Sequence, residues 1–155
     1  MNTEATKAER ERKVFKAFIQ KSGLQISPES VESCEPPKLD IVCWQKNEGK
    51  VAFELVEICD EAIARVTSTI IGSDQAAYIR GSDPTWEVLR KKLKKRYQTE
   101  YPVELLCYTA GRTISPDDGV REKIRSMADM DNGQFRRIWL LVTQCQRDLV
   151  SLIWP

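Results

Sequence analysis

Two carboxylates stand where apolar strands rarely place them. In the stretch KLDIVCWQKNEGKVAFELVEI, residues 38–58, Asp40 opens one run of β-branched and aromatic residues and Glu54 interrupts the next. Strand interiors disfavour acids, and an ionised carboxylate taken out of water costs on the order of several kcal/mol unless something pairs with it. A third acid, Glu11, falls inside the apolar stripe of Val14, Phe15 and Phe18 when the N-terminal segment is wound at about 100° per residue, while Glu9 points the other way. Three carboxylates drawn into one water-accessible notch repel one another. The ordinary resolution is a hard cation with oxygen ligands, Mg²⁺ (or Mn²⁺) before Ca²⁺. A site of that kind hydrolyses bonds with a metal-acidified water.

The composition narrows the alternatives. There is no histidine in the chain, so Ser-His-Asp and Cys-His nucleophilic chemistry is excluded and proton transfer falls to carboxylate, lysine, tyrosine or metal-bound water. The five cysteines, Cys34, Cys43, Cys59, Cys107 and Cys145, are odd in number and contain no CxxC pair. That pattern reads as free thiols, mostly buried, and speaks against structural zinc. The net charge is +1, so any affinity for nucleic acid must come from a local patch. No apolar run approaches the roughly 18 residues of a membrane span, and the charged N-terminus lacks a signal-peptide core. A cytoplasmic protein with no membrane partner is expected.

The elements that must position the acids follow from periodicity. The length suits a single domain, residues 1–155. A helix is predicted from Thr3 to Lys21, then an irregular region closed by two prolines. LDIVCWQK and KVAFELVEI form a hairpin, with NEG between them as a three-residue turn and Gly49 left-handed. Residues two apart share a face, so Asp40 lies with Val42 and Trp44, and Glu54 with Ala52, Val56 and Ile58. The hairpin brings Asp40 and Glu54 to the same end, and Glu11 joins them if the first helix packs on their face.

From Cys59 the chain reads as helical, with a break near Gly72 and a stop at Gly81. Pro84 starts a basic amphipathic helix whose stripe is Trp86, Leu89, Leu93 and Tyr97. Its outer faces carry Lys91, Lys92, Lys94 and Lys95, which are candidates for phosphate contacts; a solvated face is the plain alternative. YPVELLCYTA is a strand, a capped helix begins at Ser115 and Pro116, and FRRIWLLVTQ and DLVSLIW close the chain as strands. Trp44, Trp86, Trp139 and Trp154 read as core or rim aromatics. The order predicts an α/β domain: a mixed β-sheet with a central hairpin flanked by helices, the hairpin antiparallel and the helical crossovers giving a parallel pair.

At these residues the chain resembles the restriction-endonuclease-like, or PD-(D/E)XK, nuclease superfamily. The resemblance is carried by the helix bearing Glu11, by EPPKLD ending in Asp40, by VAFELVEI with Glu54-Leu-Val-Glu57, and by the helix–strand order through FRRIWLLV. It is similar to small members whose second motif reads Glu-x-x-Glu. The resemblance implies a restriction-endonuclease-like core and a Mg²⁺-dependent phosphodiesterase acting on DNA or RNA, with Asp40 and Glu54 holding metal and Glu11 completing the site. Two departures stand out. Pro37 lies three residues before Asp40 rather than next to it, and the lysine expected two residues after Glu54 is Val56. Substitutes for that lysine are Lys38 on the face of Asp40, Glu57 turned inward at a bulge, or Gln75 with Tyr78 from the following helix. A catalytically degenerate member of the fold that binds nucleic acid, and an inhibitor- or immunity-type interaction module, are the competing readings. Either leaves room for a homodimer or a protein partner.

Overall fold

The structure is a computed structural model that describes residues 3–34, 39–58, 84–109, 118–144 and 147–155. Helix α1 (Thr3–Ser22) stops at Gly23, which takes the left-handed conformation with φ 79°. A 3-10 turn (Pro28–Ser30) leads to the two-residue strand β1 (Glu32–Ser33), then β2 (Ile41–Gln45) and β3 (Gly49–Ile58). Helix α2 (Pro84–Lys94), strand β4 (Val103–Thr109), helix α3 (Asp118–Met130) and strands β5 (Phe135–Gln144) and β6 (Arg147–Trp154) complete the described elements. The segment read as helical from Cys59 to Gly81 lies outside the described residues, as does the Ser115–Pro116 start of the third helix.

The six strands form one mixed sheet in sequence order, β1 to β6. β1, β2 and β3 are antiparallel, β3, β4 and β5 are parallel, and β6 returns antiparallel to β5. Two parallel pairs therefore replace the one expected, because both long connections cross over and re-enter beside the strand they left. The hairpin turn closes with Gln45 opposite Gly49, and both Asn47 (φ 69°) and Gly49 (φ 81°) are left-handed. Asparagine and glycine are the residues that adopt this conformation most readily.

Each face of the sheet carries its own core. On one, Phe15 and Phe18 of α1 pack edge-on against Phe53 and Trp139, with centroids 4.9 to 5.6 Å apart, above Ile41, Leu55 and Leu141. On the other, Trp86, Leu89 and Leu93 of α2 and Ile124 of α3 cover Val56, Leu105 and Leu140. Strand β4 lies between and is buried along its whole length. The predicted stripe of α2 is the buried one, although the helix ends at Lys94 and Tyr97 sits beyond it. Gln134 fixes that extension, accepting from the Tyr97 amide at 2.7 Å and donating to its carbonyl at 2.9 Å.

Alternation in β3 puts Phe53 and Leu55 under α1, and Glu54 under α2 with Ala52 and Val56. The first helix thus packs on the face opposite to the one Glu54 occupies. Sequence pattern does not settle this, since KVAFELVEI is apolar on both faces, as strands covered on both sides are. Glu11 nevertheless feels the charge of Asp40 and, more weakly, of Glu54, because β2 is short. Its pairing with β3 ends at Ile41 opposite Phe53. β3 runs on to Ile58, so side chains from both helix layers can meet past the start of β2.

Candidate functional site

Asp40 precedes β2 and Glu54 lies in β3, one pair beyond the last paired residues. The Asp40 amide donates to Glu54 Oε1 at 3.2 Å, and the Leu55 amide donates to Asp40 Oδ2 at 2.9 Å. The Glu54 carboxylate is therefore clamped to the backbone of Asp40, and the Asp40 carboxylate to that of Leu55. Burial opposes the charge on Asp40, but Glu54, the Leu55 N–H, Lys92 and Lys7 together outweigh it and hold Asp40 below the ordinary aspartate value. Glu54, 5% exposed, goes the other way. Burial first, and then Asp40, raise it despite the opposing pull of Lys92.

Glu11 is 7% exposed, as its place in the apolar stripe predicts. Burial, then the charge of Asp40 and, more weakly, of Glu54, push its carboxyl up to about 7, with Lys7 pulling back. Lys7 Nζ lies 3.8 Å from Glu11 Oε1, one helical turn away. Glu11 Oε2 is buried with no hydrogen-bond partner. A buried acceptor without a donor costs about 1–3 kcal/mol. Glu11 also lines a cavity of about 430 Å³ with Lys7, Arg10, Leu55, Glu57 and Lys92.

Val56 is 4% exposed in the core under α2. From that helix Lys92 brings its ammonium to 3.2 Å from Glu54 Oε2, with its side chain 21% exposed. Lys92 adjoins Leu93 on the buried stripe, so its stem runs along the helix–sheet interface and its charge emerges at the carboxylates. Sequence pattern alone places it in a row of outward lysines. Lys91, Lys94 and Lys95 are indeed exposed, and Lys95 Nζ sits 5.1 Å from the Tyr97 ring centroid. The Tyr97 hydroxyl is buried and forms no hydrogen bond, and burial followed by the charges of Glu54 and Asp40 raises its pKa.

Glu57 does not turn inward. It stays on the α1 side, one-third exposed, with Arg10 Nη1 at 3.5 Å from its Oε2. Regular alternation through β3 leaves no bulge there, so its substitution for the lysine is ruled out by register. Lys38, Gln75 and Tyr78 lie outside the described residues. Among the described residues no three Asp, Glu, Cys or His side chains stand together as a group that could hold a metal ion. The donor chemistry suits a hard cation, three carboxylates with one unmatched oxygen at Glu11. As arranged, however, the counter-charge at Glu54 is an ammonium.

A third buried acid is one that sequence reasoning missed. Glu104 in β4 is fully buried and accepts from Trp139 Nε1 at 2.7 Å and Arg136 Nε at 2.9 Å. Arg136 also pairs with Glu48 in the hairpin turn. The signal is the one that exposes Glu54, an acid inside an apolar strand, VELLCYT, with the arginines of FRRIW as partners. This group is saturated with its own donors and has the character of a structural lock.

The molecule is thus an α/β protein with a mixed six-stranded sheet and buried acids answered by Lys92 at Glu54 and Lys7 at Glu11. No family model matches the chain, and no curated protein or solved structure matches it either.

Proposed function

We propose that the chain is a metal-dependent nuclease with a restriction-endonuclease-like core, hydrolysing phosphodiester bonds in DNA or RNA at Glu11, Asp40 and Glu54. The observation that carries this reading is the buried Asp40–Glu54 pair with Lys92 beside Glu54, within electrostatic reach of Glu11, whose Oε2 has no donor of its own. Burial first, and then the neighbouring Asp40, raise the pKa of both Glu11 and Glu54, the kind of perturbation that gathers at functional sites.

Asp40 and Glu54, with Glu11, would hold Mg²⁺ or Mn²⁺, which when bound supplies an acidified water and neutralises charge on the phosphate. The chain's own groups do the rest. Glu54 and then the Leu55 N–H keep the Asp40 carboxylate ionised, and the Leu55 N–H fixes it in place. Lys92 stands beside Glu54, where its ammonium can hold a phosphate oxygen once that carboxylate is otherwise engaged. Glu11 Oε2, which has no donor of its own, would accept the proton of the attacking water, whose oxygen bonds to phosphorus as the P–O ester bond breaks. Lys91, Lys94 and Lys95 position the backbone of the substrate without reading its sequence.

One observation favours a second reading. Lys92 already answers Glu54, and Val56 replaces the expected lysine, so a catalytically inert module of the same fold, binding nucleic acid or a protein, fits that ion pair. Thermal melts with and without Mg²⁺ or Mn²⁺, beside a cleavage assay on single- and double-stranded DNA and RNA, separate the two. The nuclease reading expects a metal-linked rise in Tm and cleavage that Asp40→Asn abolishes. No rise and no cleavage would leave the inert module.

A further inference from the structure

The two edges of the sheet are protected very differently. At one end β1 has two residues, both exposed, and one of them is Glu32. At the other, β6 has eight, and its last six, Leu149 to Trp154, carry no charge. It pairs with β5, and among the described residues no other strand pairs with it. An edge strand shows a row of unpaired N–H and C=O groups, and proteins blunt long ones with charge, proline, bulges or brevity. The one shift in the pairing of β6 falls near its end, at Ile153, and leaves Leu149 to Leu152 regular and without a charge.

The side chains along this edge are apolar on both faces. Leu149 is 50% and Leu152 46% exposed. Leu149 pairs with Val142, which belongs to the core under α2 and α3, and Leu152 with Trp139, which belongs to the core under α1. Whatever adds to β6 must therefore offer an apolar residue on each face.

We infer that the protein is a symmetric homodimer in which β6 pairs antiparallel with β6 of a second copy, the two-fold axis passing through Ser151. An axis perpendicular to the sheet keeps like faces together, and residues directly opposite share a face. Leu152 of one copy then meets Val150 of the other, and Leu149 meets Ile153. Moving the axis to Val150 sets Leu152 against Asp148 and Leu149 against Ser151. Moving it to Leu152 leaves Leu149 opposite Pro155, outside the strand. Of these three registers, the first alone gives both exposed leucines an apolar partner within the strand. Beside that axis, Leu152 and Ile153 line a cavity of about 250 Å³ with Arg121, Glu122 and Arg125 of α3. The cavities of two copies would adjoin there, so that the acid of each copy can face the arginines of the other. The assembly also closes: both edges that remain are β1, too short and too acidic to add further copies. The inference stands apart from the nuclease reading, since Glu11, Asp40 and Glu54 all lie off β6.

Analytical ultracentrifugation from low to high micromolar concentration is expected to show a species of twice 17.8 kDa. Leu149→Lys combined with Leu152→Lys places charge at two exposed positions and should give a monomer whose circular dichroism matches that of wild type. Ser151→Cys reads the register. Opposite residues of an antiparallel pair stand about 4.5–5.5 Å apart at Cα, within reach of a disulfide. This variant should therefore cross-link to a covalent dimer under mild oxidation, while Leu149→Cys and wild type should not. A monomer at every concentration, a folded lysine variant that still dimerises, or cross-linking through Leu149→Cys in place of Ser151→Cys would each overturn the inference. So would a monomer whose β6 edge captures a strand of some other protein.

Discussion

Glu11 and Asp40 share one cluster yet titrate in opposite directions, and this sets opposite signs for their substitutions. Glu11 is raised from 4.5 to about 7, so between those values the folded protein holds a proton that the unfolded chain has lost. Its contribution is full below pH 4.5 and disappears as pH rises through about 7. Glu11→Gln should therefore melt higher than wild type at about pH 8 without metal, by on the order of 2 kcal/mol after allowing for solvent screening, with the gap closing in acid; a scan of Tm against pH reads it. Asp40 is lowered, so its contribution is present above the ordinary aspartate value and lost in acid. Asp40→Ala, which also strands the Leu55 amide, should destabilise by about 1–3 kcal/mol near neutral pH. Crowding of like charges alone suggests relief on neutralising Asp40; the clamp to Leu55 reverses that sign. Lys92→Met leaves Glu54 unanswered, so urea melts in EDTA should show a loss of about 3 kcal/mol or more, recovered in part by Mg²⁺ if the acids hold metal. Glu11 is legible in the sequence because an acid inside an apolar stripe breaks a pattern. Lys92 is not, because a lysine flanking a stripe looks the same from sequence whether it turns in or out.

Helix α2 divides its labour by face. Trp86, Leu89 and Leu93 seal the core, Lys92 enters the acidic group, and Lys91 and Lys94 face solvent, as does Lys95 just past the helix end. Replacing those three exposed lysines by alanine should reduce the salt slope of nucleic-acid binding by about 0.9 for each phosphate no longer neutralised on a duplex, or about 0.7 on a single strand. A slope that does not move assigns them to solvation. The elements themselves are largely readable. The hairpin follows from alternation and its NEG turn, and α1 and α2 from their stripes. What is not readable is how they stack, since a strand buried on both faces gives no sign of which helix lies over which side. The direction of β5 is likewise set by the crossover and not by its own residues.

At the scale of the whole molecule, β4 is the strand on which both cores rest. Its seven residues, Glu104 included, are buried, and it is paired on both sides. Its amides should exchange most slowly with deuterated water, at the rate of global unfolding, while those of β1 and the N-terminal turn of α1 exchange first. Native-state hydrogen exchange followed by mass spectrometry or NMR gives that ranking. Glu104→Gln should lower the global value, since Arg136 would lose its buried anion while Trp139 kept an acceptor.

The loop between α3 and β5 contains one further point of control. Gly133 has φ 60°, and a Cβ built there would lie 1.9 Å from the carbonyl oxygen of Leu93. The last turn of α2, which carries Lys92, is therefore seated against bare backbone, and Gln134 next door holds the Tyr97 backbone. The clearance of a single methyl group, some forty positions away in the chain, is what lets the ammonium of Lys92 meet Glu54. A lineage that lost this glycine would keep every charged residue of the site in its sequence and still misalign them.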